Sequence, residues 1–240
     1  MYFDSSEYPY ASRREVLYSR RGMVCTSQAL AAQAGLDILK KGGNAVDAAL
    51  ATAISLVVLE PTSNGLGSDA FALIWMKDKL YGINGSGWSP AKLSREAVAA
   101  AGYTTVPERG WIPVMVPGAP ATWAAIHRRF GRLPFADLFE AAIQYAEQGY
   151  AVQPTVAAQL EESWHAFAAY QHEKAFAGLF STFFPKGRAH RIGEIMHLPD
   201  HAKSLRLLRD SYCQSLYTGE IAQAIEDWAK ETGGYIRKED

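Results

Sequence analysis

Charge of one sign is what this chain has least of: 24 basic side chains face 25 acidic ones across 240 residues, a net charge of −1. A protein that grips nucleic acid by neutralising phosphates needs a basic excess, overall or on one face, and none is present, so no nucleic-acid partner is expected. Cysteine is almost as scarce. Cys25 and Cys213 stand far apart, with no CxxC pair and no histidine-rich partner spacing, which excludes a disulfide framework and reads both as plain core thiols. Long apolar runs are missing as well. The longest, AALATAISLVVL at residues 48–59, is too short to cross a bilayer and predicts a buried helix, with no membrane contact. Residues 1–23 hold acids, a proline and two Arg pairs in place of the apolar stretch a secretory leader requires, so a cytoplasmic location is expected.

Ready-made catalytic signatures are absent too. Among six histidines, His165 and His172 are seven apart and His197 and His201 four apart, but Pro199 between the second pair opposes the continuous helix that i, i+4 ligation needs. HExxH does not occur, no metal is expected, and His127 beside Arg128 and Arg129 reads as solvated. Gly65-Leu66-Gly67 precedes a strand-like run and Gly85-Ser86-Gly87 follows one, so neither fits a dinucleotide or phosphate loop, and no cofactor is expected. Ser86 fails as a nucleophile elbow because Asn84 and Trp88 stand where GxSxG needs glycine.

What is present is enough apolar matter for a sizeable core: 48% of residues are apolar and 12% aromatic, which excludes disorder as the default state. A short β-like piece at 23–27 leads into a helix over 28–41 that Gly42-Gly43 stops. Asn44 N-caps a second helix through Leu59, nearly all apolar and therefore lying between layers. Runs at 70–76 and 80–84, split by Lys77-Asp78-Lys79, predict a β-hairpin. A helix near 94–101, a strand-like piece at 112–116, helices over 119–130, 134–148 and 154–169, a loop at 176–191 and helices over 199–209 and 218–232 complete the pattern. No repeat or linker divides the chain, so residues 1–240 are expected to form a single α/β (α+β) unit.

Longer motifs go further than spacing. Gly22-Met23-Val24, then LAAQAGLDILKKGGNAVDAA from Leu30 to Ala49, Glu60-Pro61, Gly65-Leu66-Gly67, Ser89-Pro90-Ala91, Val116-Pro117-Gly118-Ala119-Pro120, Leu216-Tyr217-Thr218-Gly219-Glu220 and Gly233-Gly234-Tyr235-Ile236 appear in order. Together they resemble the large subunit of the γ-glutamyltranspeptidase family, from about Gly22 to Asp240. The resemblance implies an N-terminal nucleophile hydrolase: an α-β-β-α sandwich whose precursor cuts itself and frees a threonine that attacks an amide carbonyl. That threonine carries its own base, since an α-amine titrates near neutrality, and it forms an acyl-enzyme. The match to its position is expected beyond Asp240, so no catalytic residue is assigned within this chain. The partners implied are the small subunit or C-terminal remainder of the same precursor and a small amide or peptide substrate. With strands still to come from that remainder, exposed sheet edges and apolar surface are expected here.

One departure bears on substrate. In the transpeptidases an arginine in an R-E-x-A-P setting clamps the α-carboxylate of the glutamyl group, and aligning Ser89-Pro90 with A-P puts Ser86 in its place. Ser86, Gly87 and Trp88 are the candidate substrate-binding residues. Trp88 either walls a less polar acyl chain, as suits a cephalosporin or glutaryl acylase of the same wider family, or packs beneath the hairpin. Arg95 and Arg109 are the nearby cations that would serve a transpeptidase proper. A non-enzymatic fragment or degenerate relative with a binding role is the remaining alternative.

Overall fold

The computed structural model describes residues 16–240; most of the segment behind the no-leader expectation, residues 1–15, lies outside them. Helix α1 (Ala29–Lys40) starts at Gln28, whose Oε1 accepts the Ala31 N–H at 3.0 Å. Helix α2 (Ala45–Leu59) opens on a reciprocal cap. Asn44 Oδ1 accepts the N–H groups of Val46 and Asp47, and Asp47 Oδ2 accepts the Asn44 N–H at 3.0 Å. Apolar on nearly every side, α2 is buried among α1, the helix α4 (Ala119–Phe130) and the helix α5 (Glu140–Gln148). The mixed helix-and-strand core continues through α6 (Pro154–Phe167) and α8 (Pro199–Asp210), and α9 (Glu220–Thr232) closes it. A short helix α3 (Arg95–Ala100), capped by Ser94, lies on the surface. No helix among the described residues is long and apolar enough to cross a membrane.

Strands β1 (Ala70–Met76) and β2 (Lys79–Gly85) form the expected hairpin, antiparallel with Trp75 opposite Leu80 and Phe71 opposite Asn84. Its inner face, with Ala72, Ile74 and Ile83, packs on the core, and α4 crosses it. Lys77 and Asp78 both have positive φ, 52° and 57°, the left-handed pair a two-residue hairpin turn requires. Asp78→Gly removes a left-handed penalty of about 1 kcal/mol, partly offset by the extra freedom glycine gives the unfolded chain. The expected net gain is about 0.5 kcal/mol, read as a higher urea midpoint. A lower midpoint would show that the Asp78 side chain contributes more than its backbone costs.

Several expectations fail for identifiable reasons. The piece at 23–27 is not a strand, because no neighbouring strand among the described residues completes its ladder, although Val24 still packs on the core. The piece at 112–116 is a turn and an extended stretch: Pro113 offers no N–H, and the Val114 N–H turns back to Trp111 O. The helix expected over 134–148 begins as a tighter 3₁₀ segment, Phe135–Phe139, before α5. Within the supposed loop at 176–191 lies helix α7 (Ala177–Phe183), held by tertiary contacts: the Phe180 and Phe184 rings lie against Trp164, and Phe183 against His201. Two-residue strands β3 (Tyr150–Ala151) and β4 (Ile195–Met196) pair where none was expected. Cys213 is buried, which pushes its thiol up to about 12, whereas Cys25 is exposed.

His127 is likewise not solvated. Its side chain is 11% exposed, Nε2 donates to Leu133 O at 2.8 Å, and Nδ1 in that tautomer accepts from Tyr212 Oη at 2.5 Å. It thus joins the end of α4 to the turn after α8.

Candidate active-site cleft

At the end of β2 the chain leaves the sheet at Gly85 and runs through Ser86, Gly87 and Trp88 along the segment 116–118. Two main chains meet there with no room for side chains. A Cβ on Gly118 would lie 1.9 Å from Gly85 O, and one on Gly87 would lie 1.9 Å from Val116 O. Gly87 also has φ +76°, so glycine is required by conformation as well as by space. The crossing is tied by the Val116 N–H donating to Trp88 O at 2.9 Å and the Ala119 N–H donating to Ser68 O at 2.9 Å. Thr122 Oγ1 donates to Gly118 O at 2.9 Å.

Tyr217 supports this crossing from below. Its hydroxyl donates to Pro117 O at 2.7 Å and accepts the Ala121 N–H at 3.0 Å, and burial pushes its pKa up to about 12, so it stays a neutral donor. The result is a cleft of about 460 Å³ between the loop, the 116–118 segment and the first turns of α4. Ser86, Gly87 and Trp88 all line it, with Asn84, Thr122 and Tyr217 as its other polar lining side chains. Ser86 N–H donates to Asn84 Oδ1 at 3.0 Å, and among the described residues its hydroxyl makes only a long 3.4 Å contact, to Gly87 O. The Trp88 side chain is not packed under the hairpin: the residue is 64% exposed, and its indole Nε1 donates to Asp240 O at 3.0 Å.

Among the described residues no lysine, arginine, histidine or carboxylate lines this cleft. Arg109 lies instead 5.3 Å over the Phe167 ring and 3.7 Å from Glu108, and Arg95 opens α3; neither reaches the cleft lining. A wall of main chain, small side chains and two aromatics can enclose an acyl chain and hydrogen-bond it, but supplies no fixed cation. Among the described residues no group of three or more His, Cys, Asp or Glu side chains is placed to share a metal ion.

The model of the γ-glutamyltranspeptidase family matches residues 31–240. The chain belongs to the γ-glutamyltranspeptidase family. A glutathione hydrolase-like proenzyme, YwrD, of Bacillus subtilis is 34% identical over 223 residues, which cover 91% of this chain and 41% of that protein. The acylase ACY 1 proenzyme of a Pseudomonas species (strain SE83) is 31% identical over 230 residues, covering 92% and 40%. Among solved structures, a cephalosporin acylase from Bacillus halodurans superposes with a TM-score of 0.96 at 52% identity, covering all of this chain and 45% of that one. The γ-glutamyltranspeptidase of Helicobacter pylori gives 0.86 at 28% identity, covering 94% and 64%. The chain therefore spans about two fifths of the curated relatives' length.

Within this family member, residue types alone did not point to Tyr217 or Thr122 as cleft residues. Tyr217 falls in the Leu-Tyr-Thr-Gly motif, yet only the fold shows its hydroxyl under a segment one hundred residues earlier.

Proposed function

We propose that this chain is the large-subunit part of an amide-cleaving acyl hydrolase or transferase of the γ-glutamyltranspeptidase type. The nucleophile is an N-terminal threonine expected beyond Asp240. Its Oγ attacks the amide carbonyl while its own α-amine takes the hydroxyl proton and passes it to the departing amine. The ester so formed is then split by water, or its acyl group is taken by an amino compound. In this reading residues 1–240 form one unit. The rest of the precursor adds the strands that turn hairpin and helices into an α-β-β-α sandwich. The family membership and the exposed apolar face of the two-stranded hairpin support that assembly.

The observation that carries the substrate reading is the uncharged cleft at Ser86–Trp88. Breaking a desolvated, bidentate arginine–carboxylate contact costs on the order of 2–5 kcal/mol, and a serine hydroxyl does not replace the charge. An acyl group of similar length without that carboxylate, such as butyryl, is therefore accepted at least as well as γ-glutamyl. The 52% identity to a cephalosporin acylase favours the same reading over a transpeptidase proper.

The test is kcat/KM for a γ-glutamyl and a butyryl anilide, in the complete enzyme and in its Ser86→Arg variant. The variant should move the ratio toward γ-glutamyl by about tenfold or more, the lower end of a charge-assisted contact. A parent that already prefers γ-glutamyl strongly, with a ratio that Ser86→Arg leaves alone, would remove Ser86 from the acyl pocket.

A further inference from the structure

Trp88 poses a physical problem. It stands largely in solvent on a loop beyond the sheet, where an indole ordinarily samples several rotamers, yet it lines the cleft. What fixes it comes from about 150 residues downstream. The main-chain oxygen of Asp240 accepts the indole Nε1–H at 3.0 Å. The two carboxylate oxygens of Asp240 divide their work: Oδ1 accepts the Ala91 N–H at 2.8 Å, and Oδ2 accepts the Arg237 N–H at 2.7 Å. The Asp240 N–H itself donates to Arg237 O at 3.1 Å, closing the 237–240 turn. Arg237 does not pair with this carboxylate, since its Nη1 donates to the carbonyls of Gly234 and Ile236. One oxygen thus shapes the turn that presents the main-chain oxygen of Asp240, and the other ties down the loop that carries Trp88.

We propose that Asp240 is a positioning residue for the acyl cleft: by joining the 237–240 turn to Ala91 it holds the Trp88 indole at the cleft rim in one orientation. The inference rests on the acyl-cleft reading given above. An indole ordered in advance spares the ligand the cost of ordering it, so the contribution falls on binding and is carried equally into the transition state. Both N–H partners need an acceptor. Asp240→Asn retains one oxygen and supports one of the two ties, whereas Asp240→Ala supports neither.

In the complete enzyme, Asp240→Ala should raise KM for a butyryl anilide by roughly three- to tenfold with kcat within about twofold, and Asp240→Asn should fall between. Trp88→Ala should raise KM at least as much, and adding Asp240→Ala to it should change nothing further. The ¹⁵N–¹H signal of the Trp88 indole, assigned by its loss in Trp88→Phe, should move and exchange faster with solvent in both Asp240 variants. If Asp240→Ala fails to fold, the indole signal in Asp240→Asn decides the matter.

Additive KM effects of Asp240→Ala and Trp88→Ala, a fall in kcat in place of a rise in KM, or an unmoved indole signal would each overturn the proposal. A Trp88→Ala variant with unchanged KM would instead sink the acyl-cleft reading, leaving the indole signal to judge the positioning geometry by itself.

Discussion

Asp47→Ala is expected to lower the free energy of unfolding by about 3–5 kcal/mol, a large share of the 5–15 kcal/mol typical of a folded domain. Asp47 has no solvent exposure. Its carboxylate closes the cap of α2 on the Asn44 N–H and also accepts the Arg132 N–H at 3.0 and 3.1 Å and the Leu133 N–H at 3.2 Å, with His127 Nε2 at 4.0 Å. Asn44 completes the joint by donating its side-chain N–H to Phe130 O at 2.7 Å. Removing the carboxylate therefore leaves three main-chain donors without partners in a part-buried site, each a cost of roughly 1–3 kcal/mol. Asp47→Asn keeps one acceptor but turns an N–H₂ toward donors, and should cost about half as much. Asp37→Ala, on the exposed face of α1, serves as the control and should stay within about 0.5 kcal/mol. Urea unfolding followed by circular dichroism separates the three, and a loss under 1 kcal/mol in Asp47→Ala would show that water replaces the carboxylate. Because α4 ends at this joint and its first turns wall the cleft, a loosened Asp47 also loosens the site.

Half of that joint is legible in the sequence. Asn44 followed three residues later by Asp47 at the head of an apolar run announces a helix start, since capping is settled within four residues. The other half, Arg132 and Leu133, lies 85 residues away, and no local pattern encodes it. The same division runs through the fold. The hairpin and α4 are readable because periodicity and turn residues agree there. Helix α7, with Gly178 inside it and aromatic residues around it, exists because of what Trp164 and His201 offer it, and its own sequence reads as a loop. In the cleft, Ser86, Gly87 and Trp88 are found through family resemblance, not through spacing. The close approach of two main chains leaves its mark only as Gly85, Gly87 and Gly118, which on sequence alone are indistinguishable from ordinary turn glycines.

The outer face of the hairpin should respond most sharply to a change of setting. A sheet that faces water alternates apolar with polar residues. Here the solvent side of β1 carries Phe71, Leu73 and Trp75 at 63%, 80% and 67% exposure, with Leu80 across from Trp75. Among the described residues the hairpin is a sheet of its own, so the edges of both strands are free as well. Burying such side chains is worth about 1.5–3 kcal/mol each, and left uncovered they drive self-association. The 240-residue chain alone should therefore associate at micromolar concentration and bind an apolar dye. The double variant Leu73→Lys, Trp75→Lys should render it monomeric by sedimentation velocity, with little loss of melting temperature, because neither side chain belongs to the packed core. In the complete enzyme the sign reverses. Two ammonium groups would be trapped in a dry interface without partners, at several kcal/mol. The precursor should then fail to mature into two subunits, read as loss of the cleaved bands on a denaturing gel. A dye-silent monomer from the unaltered chain, together with normal maturation of the double variant, would mean that nothing covers this face and that the sandwich is not completed there.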